Sequence, residues 1–216
     1  MKISTLQCLV ATPAQAEAAC AGGVRWVQLR IKNASPEAWE QAARATLLVC
    51  RRYGAVLIIN DNPALARAIG ADGVHLGKTD MAPAEARRLL GPDFIIGGTA
   101  NTFADIEQLT AAGVNYIGLG PFRFTTTKQN LSPILGLAGY QALLAQVRAA
   151  GLAVPIVGIG GIALADVPAL LATGLHGVAV SGAITHAADP VAAATLFVNH
   201  VQALPISIRT YAKGVT

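Results

Sequence analysis

The groups in this sequence with chemistry to offer come in short clusters. Two cations stand two residues apart in Gln28-Leu29-Arg30-Ile31-Lys32, and an amide sits beside a carboxylate at Asn60-Asp61. A second carboxylate is Asp80 and a hydroxyl is Thr99. Then come Thr125-Thr126-Thr127-Lys128, the pair Gly160-Gly161, and Ser181-Gly182. Nearly every cluster follows a run of β-forming apolar residues. If those runs are parallel strands, their C-terminal ends share one face and the clusters converge there. Cations, carboxylates, hydroxyls and flexible glycines in one mouth suit phosphates and a divalent metal.

Each cluster also has an ordinary reading. Alternation places Val24, Trp26, Gln28, Arg30 and Lys32 on one face and Val27, Leu29 and Ile31 on the other. The first set turns from apolar to amide to cation along the chain. A buried cation needs an anion, which either a ligand or a protein carboxylate can supply. Asp61 and Asp80 could each cap a turn; together on neighbouring strand ends they offer hard oxygen ligands for Mg²⁺. His75, inside Gly73-Val-His-Leu-Gly77, reads as a satisfied core histidine that would lie below the site if it points inward. The threonine–lysine run falls in a long connection from Gly120 to Gly136, a length that is usually functional or mobile. The late glycines and Ser181-Gly182 fit a phosphate held between the last two strand ends, which specifies an anion and not a reaction.

The elements that must position these groups alternate from end to end. Strands are expected at 3–10, 24–30, 55–60, 73–76, 94–98, 115–119, 154–158 and 177–180. Ser35-Pro36, Asn62-Pro63 and Asp189-Pro190 mark helix starts, each a capping side chain before proline. Gly22, Gly54, Gly70, Gly91, Gly113, Gly151 and Gly174 follow helical runs, where a left-handed residue is wanted. Eight β-then-α units predict an α/β protein made of a single (β/α)8 TIM barrel over 1–204, with 205–216 as a peripheral or mobile extension. A doubly wound open sheet is the alternative, but no glycine-rich fingerprint follows Val10.

The bulk composition narrows the function classes. The chain has 216 residues, enough for one sizeable core; it is 53% hydrophobic and 13% charged, which excludes a mainly disordered chain. A net charge of +4 suits anionic ligands, but the basic residues are scattered, so nucleic acid is not expected. Cys8, Cys20 and Cys50 lack metal-like spacing and read as buried free thiols in a reducing cytoplasm. The uncharged stretch 167–188 contains Pro168, Gly174, Gly177 and Gly182 and reads as helix, turn and buried strand, not a membrane span. An uncharged exterior permits a homodimer without requiring one.

Six strings, in order and at matching spacing, resemble the thiamine phosphate synthase family over about 6–204. They are Gln-Leu-Arg-Ile-Lys at Gln28, Ile-Asn-Asp at Ile59, Ala-Asp-Gly-Val-His-Leu-Gly at Ala71, Tyr-Ile-Gly-Leu-Gly-Pro at Tyr116, Thr-Thr-Thr-Lys at Thr125 and Ile-Gly-Gly-Ile at Ile159. The resemblance implies a transferase that joins hydroxymethylpyrimidine diphosphate to thiazole phosphate, giving thiamine phosphate and pyrophosphate. It implies that Gln28, Leu29, Arg30, Ile31, Lys32, Asn60, Thr99 and Lys128 contact the pyrimidine diphosphate. Arg30, Lys32 and Lys128 would carry catalysis by absorbing the leaving group's charge. Asp61 and Asp80 would hold Mg²⁺, and Thr125, Thr126, Thr127, Gly161, Ser181 and Gly182 would take the thiazole phosphate. The chain departs from the family pattern at Ile31, Thr99, Asn101, Phe124, Gln129 and Ser181-Gly182. Two rivals remain: a thiazole tautomerase of the same superfamily, whose members tend to lose the Asn-Asp pair and the later aspartate, and a non-catalytic binder of thiamine-related phosphates.

Overall fold

Apolar runs too short for helices, each cut off by glycine, proline or a capping residue, form strands buried on both faces. A computed structural model describes residues 3–124 and 133–203. The strands are β1 (Leu6–Val10), β2 (Trp26–Leu29), β3 (Val56–Asn60), β4 (Gly73–Leu76), β5 (Ile95–Ala100), β6 (Tyr116–Leu119), β7 (Ile156–Ile159) and β8 (Gly177–Val180). The helices between and after them are α1 (Pro13–Ala21), α2 (Pro36–Arg52), α3 (Pro63–Ile69), α4 (Pro83–Leu90), α5 (Phe103–Ala111), α6 (Gly136–Ala149), α7 (Val167–Ala172), α8 (Gly182–Thr185) and α9 (Pro190–Ala203). A single 3-10 turn, Leu164–Asp166, precedes α7. Every neighbouring pair of strands is parallel, and β8 returns to β1, closing the barrel. The (β/α)8 expectation holds and the open sheet does not. Thr125, Thr126, Thr127, Lys128 and the expected extension at 205–216 lie outside the described residues.

Alternation divides the packing into two layers. Trp26, Ile58, Ile95, Tyr116, Val157 and Ala179 fill the barrel interior. Val27 and Leu29, one residue out of phase with Trp26, join the larger core between strands and helices. Ser35 and Asn62 accept the backbone N–H of Ala38 and Leu65, and Asp189 accepts that of Ala192, as the Ser/Asx-Pro starts require.

The differences from the sequence reading are local. Several strands begin later or end elsewhere: β2 stops at Leu29, so Arg30 and Lys32 stand beyond it. Gly22 does not adopt the left-handed conformation expected after α1; its φ is −75°, and the positive φ falls on Gly23 instead. The reason for glycine at 22 is contact: a Cβ there would sit 2.5 Å from Ala194 Cβ and 2.5 Å from Val191 O, where α1 meets α9. Cys8, Cys20 and Cys50 are free and buried. The stretch 167–188 is helix, turn and buried strand, and no described helix is long and apolar enough to cross a membrane.

Candidate active site at the strand ends

The ends of β3 and β4 bring two carboxyl groups together. Asp61 directly follows β3 with φ 61°, a conformation unusual for a side-chain-bearing residue, and its N–H donates to His75 O at 2.8 Å. Asp80 reaches back from the β4–α4 loop, and its Oδ2 accepts the Gly77 N–H at 2.6 Å. A Cβ on Gly77 would stand 2.9 Å from that oxygen, so the approach depends on glycine. Asp61 as a residue is exposed, yet its carboxyl is partly desolvated where it faces Asp80. Desolvation first, then the hydrogen bond and like charge of Asp80, push the Asp61 pKa up to about 7; Arg30 pulls the other way. Two carboxyls and a guanidinium thus share one rim. The two readings of Arg30 meet here, since the nearby protein carboxylate is Asp61 itself.

Around that rim the remaining positions fall into place by register. Gln28 pairs across with Leu9 and Ile58, and Asn60 pairs with His75. Gln28 and Asn60 are buried, Arg30 is half-buried and Lys32 is exposed. Leu29 is fully buried in the helix-facing core and Ile31 packs against it, so the contacts these two can offer a ligand are through the peptide backbone.

A line of polar groups crosses the barrel below the mouth. Gln28 Nε2 donates to Gln7 Oε1 (3.0 Å), and Gln7 Nε2 donates to the Tyr116 phenol oxygen (3.3 Å). That oxygen lies 3.0 Å from His75 Nδ1, and His75 Nε2 lies 2.9 Å from Thr99 Oγ1. His75 is the inward, satisfied core histidine expected beneath the site. Gln7 and Tyr116 were hidden in the sequence, because each sits within an apolar strand run; inward phase with Leu9 and Gly118 is the signal that could have found them.

On the far side, the connection after β6 grips the loop after β7. Phe122 N–H donates to Ile159 O (2.8 Å) and Arg123 N–H to Gly160 O (3.1 Å). The Arg123 guanidinium donates to Gly161 O (2.9 Å) and forms two bonds with Asp166, at 2.6 and 2.8 Å. Gly160 and Gly161 both have positive φ, and a Cβ on Gly161 would lie 2.5 Å from Arg123 Cγ. Arg123 therefore holds the Gly161 carbonyl on its own side. Ser181 follows β8, with its hydroxyl donating to Leu9 O (3.0 Å), and Gly182 opens the four-residue helix α8. The Asn101 amide donates to Gly120 O and Pro133 O, both at 2.9 Å, tying together the two described ends of the β6–α6 connection. The capping carboxylate of α5, Asp105, accepts the N–H groups of Asn101 and Thr102 and pairs with Lys78 at 2.7 Å.

Against known proteins, residues 5–184 match the family model described as thiamine monophosphate synthase. The chain is 54% identical over 176 residues to a thiamine-phosphate synthase of Bacteroides fragilis, covering 82% of this chain and 86% of that protein. It is 45% identical over 176 residues to one of Laribacter hongkongensis, covering 82% and 81%. Among solved structures, the thiamine phosphate pyrophosphorylase of Pyrococcus furiosus superposes with a TM-score of 0.81 at 27% identity, over 92% of this chain and 96% of that one.

Proposed function

The chain belongs to the thiamine monophosphate synthase family, and from that premise we propose how its strand-end site joins a pyrimidine diphosphate to a thiazole phosphate. The C–O bond between the pyrimidine methylene and diphosphate breaks, with the electron pair leaving on diphosphate. The pyrimidine amino group delocalises the positive charge left on the methylene carbon. The thiazole nitrogen then gives its lone pair to that carbon, forming thiamine phosphate.

What this chain supplies is position and charge. Arg30 and Lys32, with Lys128, neutralise the departing diphosphate, a stabilisation that grows as the bond lengthens. Gln28, Leu29, Ile31, Asn60 and Thr99 orient the pyrimidine diphosphate, the two apolar residues through their peptide groups. Gly161, Ser181 and Gly182, with Thr125, Thr126 and Thr127, receive the thiazole phosphate. Among the described groups no side chain is required as a nucleophile.

The reading rests most heavily on the Asp61–Asp80 pair. Two carboxyls held in contact, with one pKa raised toward neutrality, form a site that a dication would relieve. Among the described residues no third His, Cys, Asp or Glu completes a metal cage. Such a donor set fits Mg²⁺, which takes one or two carboxylates and fills its other positions with substrate phosphate oxygens and water. When bound, Mg²⁺ would act as a Lewis acid on the diphosphate oxygens. The buried free thiols suit a reducing compartment such as the cytoplasm, and the ligands are small phosphorylated molecules, not nucleic acid.

The test incubates purified protein with both substrates, with and without Mg²⁺, and follows pyrophosphate together with thiamine phosphate. Metal-dependent formation of both in equal amounts is expected. Isomerisation of the thiazole alone would replace this reading with a tautomerase, and no turnover would leave a binder.

A further inference from the structure

A phenol has one proton to give, and this decides the direction of the hydrogen bonds that cross the barrel. The Tyr116 oxygen accepts the Gln7 Nε2–H, whose carbonyl in turn accepts the Gln28 amide. Burial pushes the Tyr116 phenol up, and the Gln7 and Gln28 amides partly offset that rise, as N–H groups facing the oxygen must. With its oxygen occupied by a donor, the phenol gives its own proton to His75 Nδ1 at 3.0 Å. Nδ1 is then an acceptor, so the neutral ring carries its hydrogen on Nε2 and donates it to Thr99 Oγ1 at 2.9 Å. The hydroxyl hydrogen of Thr99 is left over. Among the described residues the Thr99 hydroxyl has no second hydrogen bond, and Thr99 is half-buried near the mouth end of β5.

Packing holds the two rings of the line in place. Gly97 leaves the space the Tyr116 ring occupies: a Cβ there would lie 2.2 Å from Tyr116 Cζ and 2.6 Å from His75 Nδ1. Gly118 gives the His75 ring similar room, with a Cβ at 3.2 Å from Cε1. Trp26 closes on Tyr116 edge to face, with centroids 4.7 Å apart. Such a chain, enclosed and locked by rings, is preorganised before any ligand arrives.

Resting on the function proposed above, we propose that Tyr116 and His75 are positioning residues that fix the Thr99 hydroxyl as a hydrogen-bond donor to a ring nitrogen of the pyrimidine substrate. The neighbours of Thr99 along this line are uncharged, which suits a heterocycle nitrogen; the diphosphate belongs with Arg30 and Lys32. The reverse polarity, with hydrogen on Nδ1, would make Thr99 a donor to the ring and only an acceptor toward the ligand.

Two measurements test the assignment. Nitrogen-15 NMR of the wild-type protein, with the His75 signals identified through His75→Gln, should show Nε2 protonated and Nδ1 bare. In steady-state kinetics, Tyr116→Phe and Thr99→Val should each lower kcat/KM for the pyrimidine diphosphate by about tenfold, the scale of one uncharged hydrogen bond, while KM for the thiazole phosphate holds. The double variant should be no worse than Thr99→Val alone, since both remove one interaction. A merely structural Tyr116 would lower Tm and affect both substrates alike, with losses that multiply, and that result overturns the proposal. A proton on Nδ1 in an active wild type overturns it as well, without touching the proposed function, and does so even if Tyr116→Phe fails to fold. A wild type with the expected ring state but no synthase activity overturns the proposed function and, with it, the role given to Thr99.

Discussion

At the scale of single residues, the carboxyl pair invites a substitution that separates stability from activity. Asp61→Asn or Asp80→Asn removes a like charge from a crowded rim, so Tm should hold or rise. Turnover should fall by about a hundredfold or more, a loss of roughly 3 kcal/mol of transition-state stabilisation. Thermal melting beside steady-state kinetics checks both halves, and wild-type rates in either folded variant would remove Asp61 and Asp80 from the mechanism. Asp105 behaves in the opposite sense. Partial burial raises its pKa, but the Lys78 ammonium and the N–H groups of Asn101 and Thr102 outweigh that and hold it down to about 2. A depressed carboxylate stabilises the fold above its unfolded pKa, and that contribution disappears as pH falls from about 4 through about 2. Asp105→Asn should therefore flatten the acid limb of a stability-versus-pH curve measured in urea, and leave stability near neutral pH lower but level.

At the scale of elements, two glycines make contrasting predictions. Gly97→Ala drives a methyl group into Tyr116 and His75, so it should cost about 1–3 kcal/mol in denaturant unfolding and also lower activity. Gly22→Ala puts the same group between α1 and α9, away from the mouth. A similar stability cost is expected with KM for both substrates unchanged in the folded fraction. The clamp between the β6 and β7 loops gives a third case. Arg123→Ala frees the Gly161 carbonyl and breaks the Asp166 pair that braces the guanidinium, and KM for the thiazole phosphate should rise by about tenfold while that for the pyrimidine diphosphate holds. These elements also show what a sequence discloses. The strand–helix alternation was legible because apolar runs and Ser/Asx-Pro starts are local signals. Asp61 meeting Asp80 followed from their places after neighbouring strand ends, and Gln28 turning inward from strand phase, once a parallel barrel was assumed. Gly22 was misread because a close approach between α1 and α9 leaves no local mark, and a glycine after a helix has a more common explanation. Tyr116 and Gln7 show only an inward phase along the chain, and Asn101 not even that, because all three act through partners on other strands and loops.

At the scale of the whole molecule, the net charge of +4 and the cations at the mouth attract two anionic substrates together. Raising ionic strength from low salt to about 0.5 M should lower kcat/KM for both substrates several-fold, with kcat less affected, because screening acts on encounter before it acts on close contacts. Equal rates at both salt concentrations would confine electrostatics to the bound state.

The barrel closes where β8 meets β1, and the seam is tight: a Cβ on Gly177 would stand 2.1 Å from Thr5 O. The first strand must therefore wait for the last. During synthesis on the ribosome the early half of the chain emerges with Asp61, Asp80 and Arg30 already made. An unsealed sheet edge remains until β8 has cleared the exit tunnel, so nascent chains stalled before that point should stay sensitive to protease, and those released beyond it should become resistant.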